Sequence, residues 1–98
     1  MDVYVNLRKA GKRVLLAVCD MEVLGKQLRQ GQTRFHISEK FYKGPLVSVE
    51  EAIDLIRQSP IVNIVGSRIV KRAIEEGLVH PDAVIEIDGV LHAQILRL

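Results

Sequence analysis

Cys19 and His92 are the thiol and imidazole that the sequence places on apolar segments expected to lie inside the fold. A nucleophilic cysteine needs a base within hydrogen-bond reach and a partly open, electropositive surrounding. Cys19 instead belongs to an apolar run, and a lone cysteine in such a run is usually a small core residue. The pair is therefore a candidate for catalysis, but the sequence favours a structural Cys19.

His92 and Gln94 are two residues apart on the last predicted strand, so their side chains point to the same side of a sheet, about 7 Å apart. If that side is buried, both need hydrogen-bond partners, because an unpaired buried polar group costs about 1–3 kcal/mol. Asp20 and Asn63 are the best partners in the sequence. The group is either a polar contact that fixes strand register or part of a ligand pocket or partner surface.

A glycine stands in the segment Asn63-Ile-Val-Gly-Ser67, where we expect a helix to begin. A helix N-terminus offers free N–H groups and the positive end of the helix dipole, so it can receive a phosphate. Gly66 and Ser67 would then lie against the phosphate, with Arg68 assisting. The alternative, which the sequence favours, is that Gly66 only lets the helix pack close to a sheet.

Basic residues are concentrated in the first half of the chain. Residues 1–43 hold nine basic and four acidic side chains, a local charge of +5, whereas residues 44–98 hold five basic and eight acidic, a local charge of −3. This asymmetry permits an acidic partner such as RNA, and it is also compatible with an ordinary solvated surface. The residues expected to contact RNA are Arg8, Lys9, Lys12, Arg13, Arg68, Lys71 and Arg72. Glu75 and Glu76, on the same helix as the last three, weaken the contribution of that helix.

Common nucleotide and metal motifs are absent from the sequence. It has no G-x-x-x-x-G-K-[ST], no G-x-G-x-x-G, no H-E-x-x-H and no C-x-x-C. One cysteine cannot form an internal disulfide or a thiolate zinc cluster, and His36 and His80 are predicted to be exposed and apart from His92. We therefore expect no metal and no cofactor.

The elements that position these residues include a hairpin at the end of the chain. Asp88-Gly89 between two apolar runs predicts a type I′ turn, which sets Ile85 opposite His92. The last strand is apolar on both faces, so we expect it to lie inside the sheet. His92 and Leu98 fall on its more apolar face, which we expect to be buried.

The first half of the chain alternates between apolar and polar residues. This pattern predicts an antiparallel hairpin from strands at residues 3–9 and 13–20, the second of them central. Residues 33–38 predict a further strand. The polar segment 27–32, which contains a glycine, is predicted to be a loop.

Two helices follow in the second half. Ser48 and Glu51 form a capping box ahead of an amphipathic helix at Val49–Gln58. A second helix is predicted from Asn63 to about residue 76, ended by Gly77 at its C′ position. The order of elements predicts an α+β fold: a mostly antiparallel sheet with two amphipathic helices packed on one face, in a single domain of residues 1–98.

Four segments occur in order over nearly the whole chain: AVCDMEVLGK at 17–26, FYKG at 41–44, NIVGSRIVKRAI at 63–74 and DGVLHAQI at 88–95. Their combination resembles the archaeal family known as domain of unknown function 424. The resemblance implies a small, single-domain, cytosolic archaeal protein, and it brings no activity, substrate or catalytic residue. The family pattern has Gly-Gly after the Phe-Tyr pair, whereas this chain has Lys43-Gly44. A tight backbone role there would rest on Gly44 alone.

Three function classes remain open. The first is a non-enzymatic binding module associated with RNA or a ribonucleoprotein assembly, as the basic half and the lack of a catalytic set suggest. The second is a small enzyme acting on a phosphorylated or acyl ligand in a pocket of Cys19, Asp20, Asn63, His92 and Gln94. The third is a protein-interaction subunit that pairs through a strand edge. The apolar runs are shorter than a membrane span and the N-terminus lacks signal-peptide regions, so we expect a cytoplasmic protein without membrane contact.

Overall fold

A computed structural model of the chain describes residues 2–97. The strands are β1 (Val3–Ala10), β2 (Arg13–Asp20), β3 (Gln27–Gln30), β4 (Thr33–His36), β5 (Leu46–Val47), β6 (Ile61–Val65), β7 (Ile85–Ile87) and β8 (Val90–Leu96). The helices are α1 (Glu39–Tyr42), α2 (Val49–Gln58) and α3 (Ser67–Glu75), with short 3-10 helices at Met21–Val23 and Pro81–Ala83. No helix within the described residues is long and apolar enough to cross a membrane.

Six strands form the main sheet in the order β5-β1-β2-β6-β8-β7, and β3 and β4 form a separate two-stranded ribbon. Only the β2–β6 pair is parallel among the described strands; the other neighbours are antiparallel. The predicted α+β class with a mostly antiparallel sheet is confirmed. As predicted, β2 and β8 are interior strands of that sheet.

Alternation along the strands gives the main sheet two buried faces. On one face, which we call the helix face, residues such as Leu16, Val18 and Ile64 pack against α2 and α3. On the other, which we call the ribbon face, Cys19 and Val65 are covered by residues of the segment 21–44. The two predicted helices therefore share one face, while the segment that contains the β3–β4 ribbon covers the other.

The C-terminal hairpin forms as predicted, with Ile85 opposite His92. Asp88 and Gly89 have φ angles of 51° and 80°, as a type I′ turn requires. The expectation that the whole ribbon face of β8 is buried is wrong. His92 is 8% exposed, but Gln94 is exposed, since no residue of the segment that covers Cys19 and Val65 buries it. Leu98, predicted on this face, lies outside the described residues.

The first long helix matches its prediction. Ser48 is its N-cap and accepts a hydrogen bond from the Glu51 N–H at 3.1 Å. Ala52, Ile53 and Ile56 are its buried residues, as the stripe of apolar positions predicted. Local sequence signals are enough to fix this element because the cap and the stripe agree.

The predicted start of the second helix at Asn63 is wrong. Residues 61–65 form strand β6, and α3 begins only at Ser67. The segment is a run of β-branched residues around Asn63, and burial between two neighbouring strands favours a strand there. The end of the helix is confirmed: Gly77 has a φ of 72°, and its N–H donates to the Ile74 carbonyl at 3.0 Å.

The predicted loop at residues 27–32 is also wrong. Gln27–Gln30 is strand β3, which pairs with β4 across a turn at Gly31. Its residues are polar because one side of this ribbon faces solvent, and Leu28 is the buried residue of the strand. A strand with a single anchoring residue gives too weak an alternation to be predicted from the sequence.

Candidate functional site

The N-terminus of α3 is occupied by a carboxylate of the chain itself. Asp20 ends β2 on the helix face and is 1% exposed. Its Oδ2 accepts from the Arg68 N–H at 2.8 Å and its Oδ1 from the Ile69 N–H at 3.1 Å. Burial raises the pKa of Asp20, while these hydrogen bonds and the charge of Arg68 oppose the rise. The carboxylate thus takes the hydrogen-bond donors that we had predicted for a phosphate.

Gly66 makes room for that carboxylate. It has a φ of 122°, and a Cβ added to it would overlap the Asp20 carboxyl group. The next residue, Ser67, accepts a long hydrogen bond of 3.4 Å from the Leu91 N–H of β8. Both predicted phosphate contacts therefore serve the junction between β2, α3 and β8.

The basic residues of α3 are largely engaged with acidic ones. Arg68 donates to the Glu22 carboxylate at 2.6 Å, and this hydrogen bond lowers the pKa of Glu22 to about 2. Arg72 contacts the carboxylates of Glu50 at 3.2 Å and Glu76 at 3.4 Å. Lys71 is exposed and has no ion pair within the described residues. The predicted basic trio is thus a mixed surface whose arginines are neutralised by their neighbours.

Cys19 lies on the ribbon face and is fully buried. Its thiol donates to the Asp20 carbonyl at 3.2 Å. Burial, followed by the nearby Asp20 charge, raises the pKa of the Cys19 thiol to about 12. In the sheet register Val65 of β6 stands between Cys19 and His92, and two strand spacings are about 10 Å. The geometry offers neither a thiolate nor a base within reach of the thiol.

His92 belongs to a hydrogen-bonded group with Asn63 and Tyr42. The Asn63 Oδ1 lies 2.6 Å from the Tyr42 hydroxyl and 3.1 Å from the His92 Nε2. Since an amide oxygen only accepts, both neighbours donate, and the neutral imidazole carries its proton on Nε2. Burial lowers the pKa of His92, so the ring is neutral at pH 7. Asn63 was correctly paired with His92 in the sequence, while Tyr42 was missed because it comes from the covering segment.

The sheet divides the pocket that we predicted from five residues. Asp20 lies on the helix face, whereas Cys19, Asn63 and His92 lie on the ribbon face, because successive residues of a strand point to opposite sides. Gln94 stands opposite Asn63 on the ribbon face and is exposed. The five side chains therefore do not surround one ligand.

The β1–β2 turn is the most basic exposed part of the chain. Residues 8–13, Arg-Lys-Ala-Gly-Lys-Arg, hold four basic side chains and no acidic one, and we call them the basic hairpin tip. Lys9, Lys12 and Arg13 are exposed and have no ion pair within the described residues. Arg8 is partly buried: its guanidinium lies 5.3 Å from the centre of the Phe41 ring. The tip thus holds three exposed cations without ion pairs within the described residues, one in the two-residue turn and one on each adjoining strand.

A second basic surface, which sequence reasoning missed, lies on the β3–β4 ribbon and consists of two arginines. Arg29 and Arg34 are directly opposite each other, exposed, and without an ion pair in the part of the chain that the structure describes. Opposed like charges destabilise a strand pair, so this arrangement does not serve the fold. The available signal was their symmetric placement about the Gly31 turn.

Side chains behind this pair hold the ribbon against the main sheet. Leu28 is buried on its inner side, and the Phe35 ring lies 5.4 Å from the His92 ring. The Arg29 N–H donates to the Asp88 carboxylate at 3.2 Å, which ties the ribbon to the C-terminal turn. The two arginines are therefore presented on a fixed support.

The comparisons with known proteins come from a family model and a solved structure. A family model described as "Protein of unknown function (DUF424)" matches residues 7–98. The chain is also similar to an uncharacterized conserved protein from Methanopyrus kandleri, whose crystal structure superposes with a TM-score of 0.82 at 31% sequence identity. That match covers 100% of this chain and 95% of the other. No curated protein matches.

Proposed function

The chain belongs to the DUF424 family of proteins of unknown function, and we propose that it is a non-enzymatic module that binds RNA through its basic hairpin tip. The observation that carries this proposal is the state of Lys9, Lys12 and Arg13, which are exposed and lack ion pairs within the described residues. Uncompensated lysines and arginines bind backbone phosphates by releasing condensed counterions. Such binding needs no catalytic group.

Arg8 supports the tip from behind. Its Nη1 donates to the Lys40 carbonyl at 2.9 Å, and its guanidinium stacks over Phe41. Glycine at position 11 has a φ of 66°, which the tight turn of the hairpin requires. The cations of the tip are thus held at the end of a regular hairpin.

Arg29 and Arg34 of the β3–β4 ribbon add a second anion contact. A phosphate placed between two opposed guanidinium groups would accept charge-assisted hydrogen bonds from both and relieve their repulsion. Exposed glutamines at positions 27, 30 and 32 lie beside them. An amide side chain can donate to or accept from the ribose 2′-hydroxyl, the group that distinguishes RNA from DNA, and we take RNA as the polymer on this ground.

The enzymatic alternative has less support from the same geometry. Burial and a raised pKa keep the Cys19 thiol protonated, and the Asp20 carboxylate lies on the opposite face of the sheet from that thiol. The Asp20 carboxylate also fills the predicted phosphate position at α3. A binding function makes use of the exposed groups, whereas an enzyme would need buried ones that already have partners.

The proposal is tested by the affinity for a labelled single-stranded RNA, measured by fluorescence anisotropy at increasing salt. Lys12→Glu is compared with Lys71→Glu, since both lysines are exposed, lack ion pairs within the described residues, and undergo the same change in charge. We expect Lys12→Glu to weaken binding about tenfold at low salt and to make the salt dependence shallower. Lys71→Glu should leave both nearly unchanged.

Equal effects of the two reversals would mean that net charge alone is sensed, and they would contradict binding at the tip. Absence of wild-type binding at low salt would contradict RNA as the ligand. A duplex DNA of the same length is measured alongside, and tighter binding to it would assign the tip to DNA instead.

A further inference from the structure

The outer edge of β1 is covered over only part of its length. Strand β5 pairs with β1 at Val3 and Tyr4, and the Val5 N–H donates to the Pro45 carbonyl at 3.0 Å. Backbone groups of a strand point alternately to its two sides, so Leu7 also directs its N–H and C=O to this edge. The same holds for the next odd-numbered residue, at position 9. Neither has a backbone partner there within the described residues.

An apolar groove runs beside this open edge, on the helix face. It has a volume of about 320 Å³ and lies between β1, β2 and α2. Its lining residues are Val5, Asn6, Leu7, Leu16, Pro45 and Leu55. Leu7 is 68% exposed and Leu55 is 37% exposed, although both are large apolar side chains. Covering them would remove apolar surface from water.

We propose that this edge and groove bind an extended peptide segment of a partner protein by strand addition. The backbone of the peptide pairs with the free N–H and C=O groups of Leu7 and Lys9, and an apolar side chain of the peptide enters the groove beside Leu55. Free edge groups specify an extended backbone, and a groove on one face of the sheet specifies alternate side chains. A helical partner would leave the edge groups unpaired.

Charge identifies which extended segment fits. Arg8, Lys9, Lys12 and Arg13 surround the open end of this edge, and no acidic residue lies among them. Pairing β1 with β1 of a second copy would bring the two basic tips together, and opposed like charges destabilise strand pairs. The partner segment therefore alternates apolar residues with acidic ones. The partner segment shares the cations of the basic hairpin tip with the proposed RNA contact, whereas the open edge of β1 and the groove beside Leu55 lie outside that contact. The peptide proposal does not rest on RNA binding.

The test uses a fluorescein-labelled synthetic peptide that alternates valine with aspartate, with a valine–lysine peptide as the charge control. Leu7→Gln is compared with Leu96→Gln, because Leu96 is 61% exposed on β8 and lies outside the groove. We expect the aspartate peptide to bind the wild type and Leu96→Gln equally, and Leu7→Gln about tenfold or more weakly. The lysine peptide should bind none of them.

Amide hydrogen exchange gives the signature of strand addition. The Leu7 and Lys9 amides should exchange more slowly in the presence of the aspartate peptide, since their N–H groups become hydrogen-bonded. Binding without this protection, or equal binding to both leucine variants, would overturn the proposal. A peptide-free dimer that Leu7→Gln dissociates in sedimentation equilibrium would overturn it in favour of a second copy. RNA affinity should be the same in both variants, so a failure here is distinct from a failure of RNA binding.

Discussion

At the scale of single residues, the polar side chains of the core divide between the two faces of the main sheet: Asp20 caps α3 on the helix face, and His92 donates to Asn63 on the ribbon face. Asn63 is one of the two partners that the sequence predicts for His92, because a buried polar group needs a hydrogen-bond partner, and this pair does form. Asp20 was grouped with them, although it points to the opposite face and caps α3. Whether Asp20 shares a face with His92 depends on the register of β2 with β6 and of β6 with β8, and both of these strands are distant from β2 in the chain.

We expect His92→Ala to lower the free energy of unfolding by about 1–3 kcal/mol. His92 is 8% exposed, donates to Asn63 and lies against the Phe35 ring, so its removal loses packing as well as a hydrogen bond. The loss is read from the midpoint of a denaturant melt at pH 7. An unchanged or higher midpoint would instead indicate that His92 serves a ligand site and is retained at the expense of stability.

The stability of the wild type should also depend on pH through His92, and the same variant tests this dependence. Burial lowers the pKa of His92 below the ordinary 6.5, so the unfolded chain takes up this proton before the folded one does. The contribution of the buried, neutral His92 to the free energy of unfolding is therefore fully present above pH 6.5, and it is lost as the pH falls below 6.5. The His92→Ala variant should lack this part of the pH dependence of stability. The control variant, His36→Ala, changes an exposed histidine and should retain it.

At the scale of elements, local signals determined what could be predicted. The capping box and apolar stripe of α2 and the Asp-Gly turn before β8 lie within a few residues, and both elements were predicted with correct bounds or register. Residues 63–65 of β6 are predicted to begin a helix because Asn63 is a suitable N-cap residue and Gly77 a suitable C′ residue. Residues 61–65 form a strand because they pair in parallel with β2. This partner is distant in the chain, so the local sequence does not reveal it.

Gly66→Ala tests the junction at which β6 gives way to α3. A side chain at a φ of 122° is strained, and its Cβ would displace the carboxyl group of Asp20 from the helix N-terminus. We expect a loss of about 2–4 kcal/mol in the free energy of unfolding, measured by denaturant. Gly31→Ala is the reference for a side chain at a positive φ without a clash, since its φ is 60° and nothing lies within 4 Å of an added Cβ. Equal losses in the two variants would contradict the predicted displacement of the Asp20 carboxyl group.

At the scale of the whole molecule, contacts between distant residues decide how charge is displayed. The sequence placed an excess of positive charge in the first half, but it did not reveal that Arg68 and Arg72 would be paired with Glu22, Glu50 and Glu76. Arg68 and Glu22 are 46 residues apart in the chain. These pairs leave the basic hairpin tip as the larger uncompensated group, which is why the proposed RNA contact lies there rather than on α3.

The central claim is tested most directly by mapping amide chemical shifts of the isotope-labelled protein as single-stranded RNA is added at low salt. The account predicts that the shifts with the largest changes belong to residues 9–13, with a second group around Arg29 and Arg34, and that both fade as salt is raised. Changes confined to α3, or no change at low salt, would contradict it.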